Sequence, residues 1–299
     1  MIAEETIAGT PEGACASAPS WVWPFDAAKS HLCQSVYMAS RDVVEPPIDD
    51  GTGYAVRSRD LNFLRLTRSE VDNWRAKATP LGMSMIQYKG FQTDLARALH
   101  ADGISDSIDV RLKGSSAKFF SDSHKPMPNN REQIIDLFRE RRHRLPAAWE
   151  IDEIIDRLLN QWIKDQSFPT YCPFDARFRL TVDREPSDYD VQISSNTAVE
   201  RCIRLIKALG EDPTELRINH PTYNFVRKDL VETALPNVYL FTLRAADQLR
   251  RHVDVALFPA GGPTNKTKTH GSLSAHFRDD DWILLPDGIK ETTSKKMDQ

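Results

Sequence analysis

Ser187-Asp188-Tyr189-Asp190-Val191-Gln192-Ile193 is the stretch on which the reading of this chain turns. Polar and apolar residues alternate along it, the pattern of a strand with one face buried. Side chains on a strand point alternately to opposite faces. Asp188 and Asp190 therefore share one side, separated by two rises of about 3.3 Å, while Tyr189 points the other way. Pro169, Pro173 and Pro186 precede the strand, and Ser194-Ser195-Asn196 after it offers helix-capping residues. A helix is expected from Thr197 to Leu209, burying Val199, Cys202, Ile203 and Ile206 and stopping at Gly210.

A second strand is expected at His252-Val253-Asp254-Val255-Ala256-Leu257-Phe258, closed by Pro259 and Gly261-Gly262. It is apolar except for one carboxylate. An aspartate in such a strand is costly to bury alone, so it needs a partner, and a cation is a good one. Divalent ions such as Mg2+ take hard oxygen ligands. Two such ions about 3.5–4 Å apart form the usual clamp for phosphoryl transfer. Asp188, Asp190 and Asp254 together fit that demand.

Further upstream, Ile108–Leu112 alternates as a short strand and runs into Lys113-Gly114-Ser115-Ser116, followed by Ala117–Phe120 as a helical turn. A glycine there lets the backbone approach a phosphate, serine hydroxyls and amide hydrogens donate, and a helix start favours anions. Gly114, Ser115 and Ser116 are thus the expected nucleotide cradle, with Lys118 adding charge one turn on. Helical periodicity is also expected over 69–78, from about Gly90 to a stop at Asp102-Gly103, over 131–144 and 150–165 as a hairpin broken at Pro146, and near 227–234; Val238–Thr242 is expected as a strand.

A Gly-Ser at a strand-to-helix turn, a later Asp-x-Asp on a strand and a third Asp on another strand resemble the DNA polymerase β superfamily of nucleotidyltransferases. Within it, Asp254-Val255-Ala256-Leu257-Phe258-Pro259-Ala260 is similar to the third-carboxylate strand of the bacterial cGAS/DncV-like enzymes, which make cyclic or linear oligonucleotide signals in anti-phage defence. The resemblance spans roughly residues 90–290. It implies an α+β fold of the polymerase β-like nucleotidyltransferase type: a mixed, mainly antiparallel sheet with flanking helices and an inserted helical hairpin. It also implies a nucleoside triphosphate donor, ATP among the candidates, and two Mg2+ ions held by Asp188, Asp190 and Asp254, with Mn2+ as a substitute. An effector protein responding to the product would be a partner. The alternative reading is a toxin-type or modifying transferase that adds nucleotides to tRNA, a protein or a small hydroxylated acceptor. A non-catalytic binding protein on a decayed transferase fold is a third, disfavoured because all three acids are present.

Two departures from the family stand out. Its Gly-Ser and Asp-x-Asp lie close together in sequence, whereas Ser115 and Asp188 are 73 positions apart. The hairpin at 131–165 accounts for the excess if it loops out so that Gly114-Ser115 still faces Asp188. Only 45 residues follow Asp254, few for the helical C-terminal lobe of the cyclic-dinucleotide synthases, so helices ahead of Gly114 are expected to supply part of a second lobe. Residues 1–50 are expected as a loose arm and loop. Residues 51–299 are expected as the nucleotidyltransferase domain, with the helical insertion over about 125–170.

The remaining features read more plainly. Trp21, Val22, Trp23 and Phe25 are expected to fold back on the domain, and the basic run Arg139–Arg144 to be a solvated face unless it borders the cleft. Lys266 and Lys268 read as a solvated loop. His270, Ser272, His276 and Asp279–Asp281 read as a polar loop beside the cleft rather than a hydrolytic triad, and Trp282 as strand packing. Asp183-Arg184-Glu185 is a structural ion cluster, or Arg184 orients a carboxylate. In 299 residues of formal charge −4, with 40% hydrophobic and 27% charged residues, a diffuse nucleic-acid-coating surface is not expected. The four cysteines form no CxxC pair, the N-terminus carries no secretory h-region, and no apolar run reaches 18 residues. A reducing, cytoplasmic setting without a membrane partner is the expectation.

Overall fold

A computed structural model describes residues 42–104, 108–123, 125–165, 167–216, 225–262 and 281–285, all within one compact unit, Asp42–Gln299. It is an α+β protein with one four-stranded mixed sheet and, among the described residues, ten α-helices. The strands are β1 (Asp109–Lys113), β2 (Tyr189–Ser194), β3 (Val253–Phe258) and β4 (Trp282–Ile283), ordered β3-β2-β1-β4. β1 pairs antiparallel with β2 and β4, and β2 pairs parallel with β3.

The two faces of this sheet are chemically different, as the alternation demands. Val110, Leu112, Tyr189, Val191, Ile193, Val253 and Leu257 all join one hydrophobic core. That core is closed by α3 (Met85–Ala101), α8 (Asn196–Ala208), α9 (Lys228–Ala234) and α10 (Pro236–Leu249). The opposite face carries Arg111, Lys113, Asp190, Gln192 and Asp254, and this is the face that matters chemically.

Local signals explain most of these helices. Ser84 caps α3, accepting from Gln87 N at 3.2 Å, while Gln87 Oε1 accepts from Ser84 N at 2.9 Å. Tyr88, Phe91, Leu95, Ala98 and Leu99 then follow the helical period into the core. Ser195 caps α8 by accepting from Ala198 N at 3.1 Å, and Gly210 follows with φ 75°.

One element departs from its expected form. Val238–Thr242 is not a strand but lies inside α10. Its cap comes from 135 positions away in the chain: the buried Asp102 carboxylate accepts from Asn237 N and from Val238 N, at 3.2 and 2.9 Å. Pro236 fits the first turn of this helix, and Val238, Phe241 and Ala245 face α3 and the sheet core.

A second core is built from the chain before Gly114 and from the insertion. It joins Val44, Ile48, Tyr54 and Val56 with α1 (Ser58–Leu64), α2 (Arg68–Arg75), α5 (Arg131–Arg142), α6 (Ala148–Gln161) and α7 (Ala176–Arg179). The unit therefore starts nearer Asp42 than residue 51. Backbone bonds Val44 N to Val56 O and Val56 N to Ile48 O fold this stretch on itself, burying Val44 and Ile48. Trp162 sits at the centre, fully buried, donating to Tyr54 Oη at 2.8 Å, and Tyr54 donates to Asp60 at 2.5 Å. With its 73-position detour absorbed into this core, the chain returns so that Lys113 pairs with Asp190. Among the described residues, no helix is long and apolar enough to cross a membrane. The aromatic cluster at 21–25 and residues Lys266, Lys268, His270, Gly271, Ser272, His276, Asp279 and Asp280 lie outside the described residues.

Candidate metal centre and cleft

The parallel pairing sets Asp190 directly beside Asp254 on the polar face of the sheet. Asp188 stands two residues before Asp190, where β2 begins. One carboxylate oxygen from each of the three lies within 4.8 Å of the others, a group that could hold a metal ion. Asp188 and Asp254 each keep about a third of the side chain exposed, at 35%.

Three carboxylates this close repel one another. Burial, then the negative charges of Asp188 and Asp254, push the Asp190 carboxyl up to about 6, against the opposing pull of Lys125 and Lys228. Two lysines and a histidine stand against these carboxylates. Lys125 Nζ stands 3.9 Å from Asp188, and Lys228 Nζ donates to Asp254 at 2.8 Å. His252 Nδ1 is 3.6 Å from the other oxygen of Asp254.

Gly114 completes this corner in a way the sequence did not foretell. It has φ 78° and ψ −170°, a conformation essentially restricted to glycine. A β-carbon there would lie 2.8 Å from Asp190 Oδ2. Its freedom thus serves the close approach of the Asp190 carboxylate. The helix that follows, α4 (Ser115–Lys118), is a single turn. Ser115 and Lys118 line the cleft, and Lys118 Nζ is 3.4 Å from Asp122. Ser116 does not belong to the cradle wall: it is fully buried, and its backbone oxygen accepts from Leu81 N.

The cleft has a volume of about 620 Å³ and is lined by the three aspartates, Gly114 and residues of the segment Cys172–Ser187. Besides the acids Asp122, Asp183 and Glu185, the cleft carries several cations. Arg177, Arg184 and Lys125 line it, and Arg141 reaches it from α5. Arg177 is buried, donates one Nη to Pro126 O at 2.7 Å, and leaves Nε without a partner. Burial raises the Asp183 carboxyl against the pull of Arg177, Arg141, Lys125 and Arg142, and its Oδ1 is also unpartnered. Cys172 is a buried free thiol pushed up to about 11, so it is no thiolate nucleophile.

No family model matches this chain, and no curated protein or solved structure matches it. Its chemistry must be read from its own residues.

Of the C-terminal residues, Asp281 borders the cleft and Trp282 packs in a strand, both as expected. Asp281 is a buried anion whose Oδ2 accepts from Arg111 and Lys113, so it holds a lysine at the cleft edge. Trp282 packs in the sheet core and donates to Tyr88 Oη at 2.8 Å. Within the basic run, only Arg141 lines the cleft. Arg142 instead donates to the carbonyls of Thr181 and Val182, and Arg144 pairs with Glu150. Lys125, Lys228 and Arg177 carried no local signal. They reach the site only because the second core folds the insertion back and α9 starts beside β3.

Proposed function

We propose that this protein is a magnesium-dependent nucleotidyltransferase that takes its donor from a nucleoside triphosphate. The observation that carries the reading is the group of three carboxylates crowded within 4.8 Å, Asp190 and Asp254 on adjoining strands and Asp188 just ahead of β2, with Asp190 against Gly114. Hard oxygen ligands carrying three like charges, with Asp190 already driven toward its protonated form, suit divalent cations. Bound there, Mg2+ or Mn2+ would neutralise the triphosphate and the charge developing during transfer.

The chain's own residues have distinct tasks. Asp188, Asp190 and Asp254 hold the ions. Ser115, Lys118, Lys125, Arg177 and Arg184 line the cleft in which the phosphates would lie. Asp254 accepts the proton of the acceptor hydroxyl as its oxygen bonds to the α-phosphorus. The bond to the β-phosphate breaks, and pyrophosphate leaves. Asp254 suits this role because it keeps solvent access while Asp190 is packed against Gly114.

The product assigned by this reading is an oligonucleotide or cyclic nucleotide signal of anti-phage defence, made in the cytoplasm and sensed by an effector protein. A second reading, a transferase acting on RNA such as tRNA, is favoured by one observation: Arg141, from the inserted hairpin, borders the cleft. Mass spectrometry of products from pure protein, Mg2+ and all common ribo- and deoxyribonucleoside triphosphates tests the proposal. A new phosphodiester product is expected, absent with Asp188→Asn. If no product forms until RNA is added, the second reading replaces the first. No transfer under either condition overturns both.

A further inference from the structure

Arg251, three residues before Asp254, joins parts of the chain that have no reason of their own to stay in register. Its two Nη atoms grip the two carboxylate oxygens of Asp175, each at 2.7 Å, and Nη1 also donates to Ser187 O at 3.0 Å. Asp175 in turn accepts from Ser187 N at 2.8 Å, while Asp175 N donates to Ser187 Oγ at 3.0 Å. Both partners are shielded from water, Asp175 at 1% and Arg251 at 11% side-chain exposure. The guanidinium lies over the rings of Phe174 and Tyr189, 4.7 and 5.9 Å from their centroids.

This clasp meets the segments that carry Asp188, Asp190 and Gly114. Ser187 precedes Asp188. Tyr189, between the two β2-side aspartates, sends its hydroxyl to Leu81 O at 3.1 Å. Phe174 N donates to Phe119 O, at the end of the α4 turn that starts at Gly114. Gly82 leaves the necessary room, since a β-carbon there would lie 2.7 Å from Tyr189 Oη and 3.1 Å from Arg251 Nε.

A buried ion pair is a weak source of stability, because desolvation offsets most of its attraction. What a bidentate arginine adds is fixed geometry. We infer that Arg251 and Asp175 are positioning residues, which set the separation between Asp188 and Asp254 and so tune how tightly the centre holds its metal. The inference rests on the metal-centre reading above and deepens it, since neither residue touches the cleft aspartates.

The test is Mn2+ affinity by electron paramagnetic resonance, which needs no turnover. It compares wild type, Arg251→Lys, Asp175→Asn and the milder Ser187→Ala, with Asp188→Asn/Asp190→Asn as the blank. Folded protein is confirmed by circular dichroism. Groups hydrogen-bonded directly to metal ligands typically contribute 10–100-fold in affinity; Arg251 and Asp175 act at one further remove, through Ser187, so about tenfold is the loss they should cause. That loss is expected for Arg251→Lys and Asp175→Asn, and a few-fold loss for Ser187→Ala, which keeps the Arg251–Asp175 grip. In steady state, the half-saturating Mn2+ concentration should rise more than kcat falls. Lysine restoring wild-type affinity, or folded variants binding Mn2+ within about twofold of wild type, overturns the inference while leaving the metal centre intact. If wild type binds no more Mn2+ than the blank, the metal centre fails and the inference with it. Should Asp175→Asn not fold, Ser187→Ala and Arg251→Lys decide by the same criterion.

Discussion

Replacing Asp190 with asparagine should change the metal-free protein and its metal response in opposite senses. In the folded chain the Asp190 carboxyl is raised from 3.8 to about 6. The folded state therefore binds this proton more tightly than the unfolded chain does. Its stability falls as pH rises through 3.8 toward about 6, and the full penalty is present above that. A shift of about two units corresponds to a ceiling of about 3 kcal/mol. Asp190 lines the open cleft, so solvent screening leaves roughly 1–2 kcal/mol. Asparagine carries no such penalty, and for a domain of this size that gain is roughly 2–8 °C in Tm at pH 7.5. Mn2+ at a hundred times its Kd should stabilise wild type by about 2.7 kcal/mol and leave the variant almost unmoved. Thermal unfolding with EDTA and with Mn2+, at pH 4 and 7.5, measures all of this. The difference in the metal-free proteins should shrink at pH 4. A metal-free Asp190→Asn protein less stable than wild type at pH 7.5, or one with an undiminished Mn2+ shift, would refute the reasoning.

Three further outcomes follow from other parts of the structure. Gly114→Ala forces a β-carbon into a glycine-only backbone conformation, 2.8 Å from Asp190 Oδ2; a loss of ~1–3 kcal/mol in chemical denaturation is expected, with weaker Mn2+ binding. Lys228→Met frees Asp254 from a partly exposed ion pair, so Mn2+ should bind roughly two- to fivefold more tightly in calorimetric titration, the size of a pair worth ~0.5–1 kcal/mol. Asp102→Ala leaves the first amides of α10 without their acceptor, costing ~1–3 kcal/mol by denaturant unfolding, while Mn2+ affinity stays unchanged because Asp102 lies outside the cleft.

Elements whose signals are local were the ones legible in the sequence. The Ser187–Ile193 alternation, the Ser195 cap and the helical periodicity near Phe91–Leu99 all act within a few residues, and the structure contains the corresponding strand and helices. The three aspartates were legible for a related reason: two share a strand face, and the third interrupts an apolar strand. Val238–Thr242 misled because its β-branched and aromatic residues suit either state, and the deciding cap, Asp102, lies far away in the chain. Ser116 misled because residue type says nothing about which side of a tight turn a hydroxyl faces. The gathering of cleft cations and the Arg251–Asp175 clasp were illegible, since each joins segments that only the folded chain brings together.

The central claim is that Asp188, Asp190 and Asp254 support metal-dependent nucleotidyl transfer, and pyrophosphate release tests it most directly. Pure protein is supplied with mixed nucleoside triphosphates in Mg2+ and in EDTA, beside the Asp188→Asn/Asp190→Asn and Asp254→Asn variants. Mg2+-dependent release by wild type is predicted, lost in EDTA and reduced at least a hundredfold, about 2.7 kcal/mol of barrier, in both variants. Release that persists in the variants at the wild-type rate, or none from wild type even with RNA as acceptor, would contradict the account.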